Sequence, residues 1–158
     1  MLTPDERSAR IEKIRSFPAQ LAALVEYLDD DDLLGRPLEG EWSVQQIVHH
    51  VADSHMNAYI RTKLILTEDK PPLKPYQQEV WAEMVDTATI PIDESLLILR
   101  GLHRRWTRIF ESLEDADWAR QGVHPENGDM SLEDILKTYS DHGDNHIEQI
   151  NRTLAAQG

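Results

Sequence analysis

His142 and His146 stand four residues apart in the run Asp141-His142-Gly143-Asp144-Asn145-His146. On a helix of 3.6 residues per turn that spacing points both imidazoles the same way, so one face can offer two nitrogens to one metal ion. The surrounding pattern is helical. Ser131 and Asp134 form a capping-box signature, in which the hydroxyl takes a first-turn N–H and the carboxylate reaches back. Leu132, Ile135, Leu136, Tyr139, His142, His146, Ile147, Ile150 and Leu154 then recur at steps of three and four. Both histidines therefore lie on the apolar stripe. Two imidazoles do not make a tight site, since a catalytic zinc-type centre usually has three protein ligands and one open position. The remaining histidines are His49, His50, His55, His103 and His124.

Composition narrows the chemistry. The 158 residues are enough for one domain with a real core, spanning residues 1–158. The net charge of −13 repels phosphate backbones, so neither nucleic acid nor an anionic membrane is expected as a partner. The absence of cysteine excludes thiolate ligands, disulfides and a cysteine nucleophile, leaving histidine and carboxylate as ligands. No apolar leader or run near 18 residues is present, and a cytoplasmic location is the expectation.

Four main helices must position the histidines. Pro4 and Asp5 open the first, lined by Ile11, Ile14, Leu21, Leu24, Val25 and Leu28, with Pro18 expected to break or restart it. Residues 29–40 read as an acidic loop. Ser43 and Gln46 cap a second helix running to about Leu66. Pro71, Pro72 and Pro75 stiffen the connector that follows, and a short helical piece fits residues 78–84. Pro91 and Asp93 open the third long helix, with Leu96, Leu99, Leu102, Trp106, Ile109, Phe110 and Leu113 inward. Residues 114–130 read as a loop holding Gly122, Pro125 and Asn127-Gly128, and no strand pattern is visible. The fold class is all-α, a four-helix bundle with long connecting loops. Such bundles build metal sites in the core from facing helices.

Periodicity does not settle the third ligand. On the second helix His55 lies nearest the centre of the stripe Val44, Ile47, Val48, Val51 and Ala58; His50 lies at its edge and His49 faces nearly away.

The run Trp42-Ser43-Val44-Gln45-Gln46-Ile47-Val48-His49-His50-Val51-Ala52-Asp53-Ser54-His55, continuing through Met56 to Arg61, resembles the second-helix motif of the DinB/YfiT-like metalloenzyme family. Leu102-His103-Arg104-Arg105-Trp106-Thr107, His124-Pro125 and the last helix extend the match from Trp42 to Ile150, and it is nearest the YfiT subgroup of metal-dependent hydrolases. The resemblance implies an up-down four-helix bundle, a homodimer, and one divalent ion per chain, nickel or zinc. Carried over by motif, its ligands are His50, from the His-x-x-Asp element ending at Asp53, together with His142 and His146.

Three neutral imidazoles leave the ion's +2 charge uncompensated, so water bound there ionises at a pH near about 7. The same charge can polarise a carbonyl or stabilise a thiolate. The expected function is a metal-dependent hydrolase acting through metal-activated water on a small-molecule substrate. One alternative is a metal-dependent S-transferase that joins a low-molecular-weight thiol cosubstrate to an electrophile in detoxification. Another is a non-catalytic, stress-associated metal-binding protein. Asp53 is the candidate catalytic residue, as orienter of His50 or proton carrier. Asp141 and Asp144 are candidate hydrogen-bond partners of the last-helix ligands. Arg61 and Asn57 read first as surface residues, with contact to an anionic substrate group as the alternative; His103 reads as a core histidine, and the four tryptophans read as packing.

Overall fold

The computed structural model describes all 158 residues, Met1–Gly158. Its long helices are α1 (Pro4–Val25), α3 (Val44–Thr67), α6 (Ile92–Glu111) and α7 (Leu132–Gln157). Between them lie the short helices α2 (Asp30–Leu34), α4 (Gln78–Trp81) and α5 (Val85–Thr89). Capping boxes start α1 (Thr3/Glu6), α3 (Ser43/Gln46) and α7 (Ser131/Asp134), each satisfying N–H groups that a helix start leaves unpaired. A fourth, Asp29/Asp32, starts α2 inside the stretch that reads as loop.

The expected four-helix bundle is present, with a particular order. Helices α1 and α3 each pack on both α6 and α7, so helices consecutive among the long four are diagonal at two of three steps. Direction follows from the cross-links. Along α1 and α7, Arg7 meets Glu133, Arg10 meets Asp141 and Lys13 meets Asp144, so the two run parallel. Along α3 and α6, His49 meets Ser95, His55 meets His103 and Thr62 meets Trp106, again in parallel. Against α7, α3 pairs His50 with His146 and His55 with His142, which makes that pair antiparallel. The four long helices thus run up, down, down, up, and an alternating up-down reading needs that correction. Parallel α3 and α6 require the chain to return along the bundle between them, which residues 68–91 do.

Two further expectations are corrected. Pro18 does not interrupt α1, which continues from Pro4 to Val25 with Pro18 buried. A lost N–H at one position leaves the remaining bonds of 22 residues in place, and packing of α1 on two neighbours outweighs the local cost. The loop before α7 contains a hairpin, β1 (Gln121–His124) and β2 (Gly128–Ser131), paired antiparallel from Gln121↔Ser131 to His124↔Gly128. Its turn uses the Asn127-Gly128 signal, with Gly128 at φ 73°. The proline-rich connector lies beside it: Leu73 N–H donates to Val123 O at 2.8 Å, and Val123 N–H to Pro71 O at 2.9 Å.

The core falls into two apolar clusters. One gathers Ile14, Ala58, Trp106, Phe110, Leu136 and Tyr139 among others; the second gathers Phe17, Leu21, Val51, Leu99 and Ile150 among others. Along three of the long helices, α3, α6 and α7, histidines come between them. His55 lies between Val51 and Ala58, His103 between Leu99 and Trp106, and His142 and His146 between Tyr139 and Ile150. A polar layer thus crosses the bundle. Each apolar side chain fully buried around it contributes about 1.5–3 kcal/mol, which holds the layer in place.

Gly143 sets how closely α7 approaches α1 beside that layer. A Cβ there would lie 2.7 Å from Phe17 Cδ2, and Phe17 is itself packed on His55 and His103. Overpacking costs about 1–3 kcal/mol, against a helix-propensity gain of about 1 kcal/mol. Gly143→Ala is therefore expected to lower thermal stability by a few degrees, roughly 2–4 °C per kcal/mol, in a scanning-calorimetry comparison. A raised melting temperature would show that Phe17 yields freely.

Candidate metal centre

His50 on α3 and His142 and His146 on α7 come together, with one ligand nitrogen of each within 4.8 Å of the others. Each arrives by a local rule. The i, i+4 spacing turns His142 and His146 to one side, and their Nε2 atoms are 3.1 Å apart. His50 lies at the edge of the α3 stripe that faces α7, with ring centroids 4.9 Å from His146 and 5.6 Å from His142. Trp42, just before the α3 cap, packs against His50 with ring centroids 4.6 Å apart and the planes tilted by 52°.

The rings are held from behind. His146 Nδ1–H donates to Gln149 Oε1 at 2.8 Å, which leaves Nε2 as the lone-pair nitrogen facing the centre. His142 Nδ1 lies 3.1 Å from His55 Nε2. Burial depresses basicity throughout. It pushes His142 to about 2 and His50 to about 3, with neighbouring imidazoles adding to the effect, and lowers His146 as well. The rings are therefore neutral at physiological pH, the state a metal ligand needs. Two imidazole nitrogens on one tetrahedral ion, at about 2.0–2.1 Å each, stand roughly 3.3 Å apart. The 3.1 Å separation of the two Nε2 atoms fits such a pair, and the donor set of three neutral imidazoles fits a divalent ion.

These rings floor an open cleft of about 480 Å³, whose walls include Trp42, Gln78, Glu79, Gln149 and an Arg152–Glu41 ion pair at 2.6 Å. Gln78 and Glu79 belong to α4, so the return connection between α3 and α6 supplies one wall. Trp42 is the single apolar side chain of the lining, and the cleft suits a small polar molecule better than a greasy one.

The other histidines separate by role. His55 is fully buried and bonded through both nitrogens, to His142 and His103. His103 is a buried core histidine bonded to His55 and to the Ile14 carbonyl. His49 faces away, to Ser95 Oγ at 2.8 Å and Ile90 O at 2.9 Å. His124 accepts the N–H groups of Glu126 and Asn127 in the hairpin turn.

Asp141 and Asp144 do not support the imidazoles. They point to α1, where Arg10 and Lys13 meet them at 2.8 and 2.6 Å. Gln149 and His55 hold those positions instead. The i, i+3 spacing from His146 could have indicated Gln149, whereas no local pattern indicates Trp42, Gln78 or Glu79. Asp53 is half-buried outside the cleft lining; burial, then the charge of Asp86, raises its carboxyl to about 6. Arg61 is buried and donates to Lys74 O at 2.7 Å. Asn57 donates to the Asp53 carbonyl at 2.9 Å.

The chain is similar to known proteins in sequence and in fold. The profile of the DinB superfamily matches residues 14–150. A Bacillus mycoides protein named "Putative metal-dependent hydrolase" is 44% identical over 140 residues, covering 89% of this chain and 80% of its own length. A Bacillus cereus protein of the same name is 43% identical over the same shares. Among solved structures, YfiT from Bacillus subtilis superposes with a TM-score of 0.93 at 37% identity, over 97% of this chain and 88% of that one. It is described as a probable metal-dependent hydrolase with an unusual four-helix bundle topology.

Proposed function

This chain belongs to the DinB superfamily, and on that premise we propose that it is a metal-dependent hydrolase whose divalent ion is held by His50, His142 and His146. The observation that carries this reading is the convergence of three neutral imidazoles at the floor of a polar cleft. A bound ion supplies Lewis acidity there, for activating water against an ester or amide. The chain's own groups do the rest. Gln149 holds the His146 ring, and Trp42 packs against His50. Glu79 and the Arg152–Glu41 pair set the polarity of the entrance. Asp53, poised near pH 6, is proposed as proton carrier, with Glu79 on the cleft wall as the competing carboxylate. Nickel or zinc as the ion, a homodimer and a cytoplasmic setting complete the proposal, and no helix is long and apolar enough to cross a membrane.

A thiol S-transferase reading would need a thiol cosubstrate, because the chain has no cysteine of its own. Metal-loaded protein incubated with activated esters, amides and electrophiles, each with and without a small thiol, separates the two. Hydrolysis independent of thiol is the expected outcome, and turnover that requires thiol would replace the hydrolase reading. Failure of the loaded protein against every substrate would favour a non-catalytic metal-binding role.

A further inference from the structure

Three histidines form a continuous chain from the metal centre into the dry core. His142 Nδ1 lies 3.1 Å from His55 Nε2, His55 Nδ1 lies 2.7 Å from His103 Nε2, and His103 Nδ1 lies 2.6 Å from the carbonyl of Ile14. His55 is 0% and His103 1% exposed, so neither ring carries a charge cheaply, and each neutral ring has one N–H.

The far end of the chain fixes its direction. A carbonyl can only accept, so His103 Nδ1 carries the proton and His103 Nε2 accepts. His55 must then donate from Nδ1 and accept at Nε2, and His142 must donate from Nδ1. The Ile14 carbonyl is suited to this task because the residue four positions on is Pro18, which has no N–H to give it. We propose that His103 and His55 are positioning residues for the metal centre: their one-way hydrogen-bond chain, anchored on the Ile14 carbonyl, locks His142 in its Nδ1–H form and turns the Nε2 lone pair to the ion.

The inference rests on His142 being a ligand, and it gives that residue something spacing alone does not. Imidazole in water favours the Nε2–H form, which would put a proton where the ion must bind. Without the chain, part of the metal-binding free energy goes into switching the tautomer. With it, the lone pairs of His142 and His146 already face each other at 3.1 Å, a contact that no N–H bridges and that a cation relieves. Phe17 and Trp106 pack on the chain and exclude water that could supply an alternative donor.

Nitrogen-15 spectra of the histidines in the metal-free wild-type chain read the tautomers directly. Nδ1–H at His103, His55 and His142 is expected, and Nε2–H at His55 or His142 overturns the proposal. Zinc affinity, measured by chelator competition, tests the consequence. His103→Leu removes both bonds at similar bulk and is expected to weaken zinc binding about 10–100-fold. His103→Gln, whose amide offers an oxygen to His55 and an N–H to Ile14, is expected to recover most of it. Equal zinc affinity in folded His103→Leu and wild type overturns the positioning role. A wild-type chain that takes up no zinc yet shows the three Nδ1–H rings refutes the three-imidazole reading, and the positioning role with it, so the two failures are distinguishable.

Discussion

His50→Ala, His142→Ala and His146→Ala are each expected to reduce divalent-metal affinity on the order of 10²–10³-fold. The magnitude follows from about 10–16 kcal/mol of binding shared among four coordination positions in structural zinc sites. Elemental analysis of protein purified without chelator should find about one ion per wild-type chain and far less in each variant. His142→Ala should show the largest loss, because His142 is the ligand that the buried histidine chain holds ready for the ion. Retention of metal by His50→Ala alone would move the third ligand elsewhere. His55 is then the first alternative, since it sits nearest the centre of the α3 stripe. Both of its nitrogens are already engaged, so that outcome would require the His55–His142 contact to break.

The metal-free protein should lose stability steeply as pH falls below about 6.5. Six histidines, His49, His50, His55, His103, His142 and His146, are held below their ordinary value, each by burial first. The sign follows from proton uptake. Between the unfolded value near 6.5 and the folded values, about 4 for His103, 3 for His50 and 2 for His142, the unfolded chain binds more protons. Their contribution is present above pH 6.5 and disappears as pH drops toward those folded values. Each group fully in that window withdraws about 1.4 kcal/mol per pH unit. Several together exceed a typical domain stability of about 5–15 kcal/mol within two or three units. Asp53 acts in the opposite direction, since its carboxyl is raised to about 6 by burial and then by Asp86, but it is one group against six. Relief of repulsion in a chain of net charge −13 also opposes the loss. Ordinary carboxylates titrate mainly below pH 5, so the histidines decide the upper part of the range. Urea midpoints at pH 7.5, 6.5, 5.5 and 4.5 should fall progressively, and a flat series would mean these rings are solvated.

The helices were legible because their starts are chemical. Ser43/Gln46 and Ser131/Asp134 specify α3 and α7 to within a residue, and the boxes form as read. Helix direction was not legible, since a stripe says which side faces inward and nothing about which neighbour lies there. The long stretch between Thr67 and Pro91 was the available hint of a parallel step. The hairpin escaped because its strands are four residues long and lean on Pro71–Leu73, about fifty residues earlier. At the site, periodicity ranks depth and not ligation. It favoured His55, the deepest ring, whereas the ring that meets His142 and His146 at the cleft is His50 on the stripe's edge. Asp141 and Asp144, candidates by their nearness in sequence, do not reach the ligands because a carboxylate beside a histidine points away from it on a helix, here to Arg10 and Lys13.

Pro18 is the residue that a programme of thermostabilisation would replace first. Proline inside a helix costs about 3 kcal/mol relative to alanine, and this one sits within the 22 residues of α1. Yet its missing N–H leaves the Ile14 carbonyl for His103, and through His103 and His55 for the polarity of His142. The defect lies in one helix and its benefit in another. A screen scored on melting temperature alone would enrich the better helix and discard the better ligand. Residue 18 is thus a point where selection for robustness and selection for metal capture diverge.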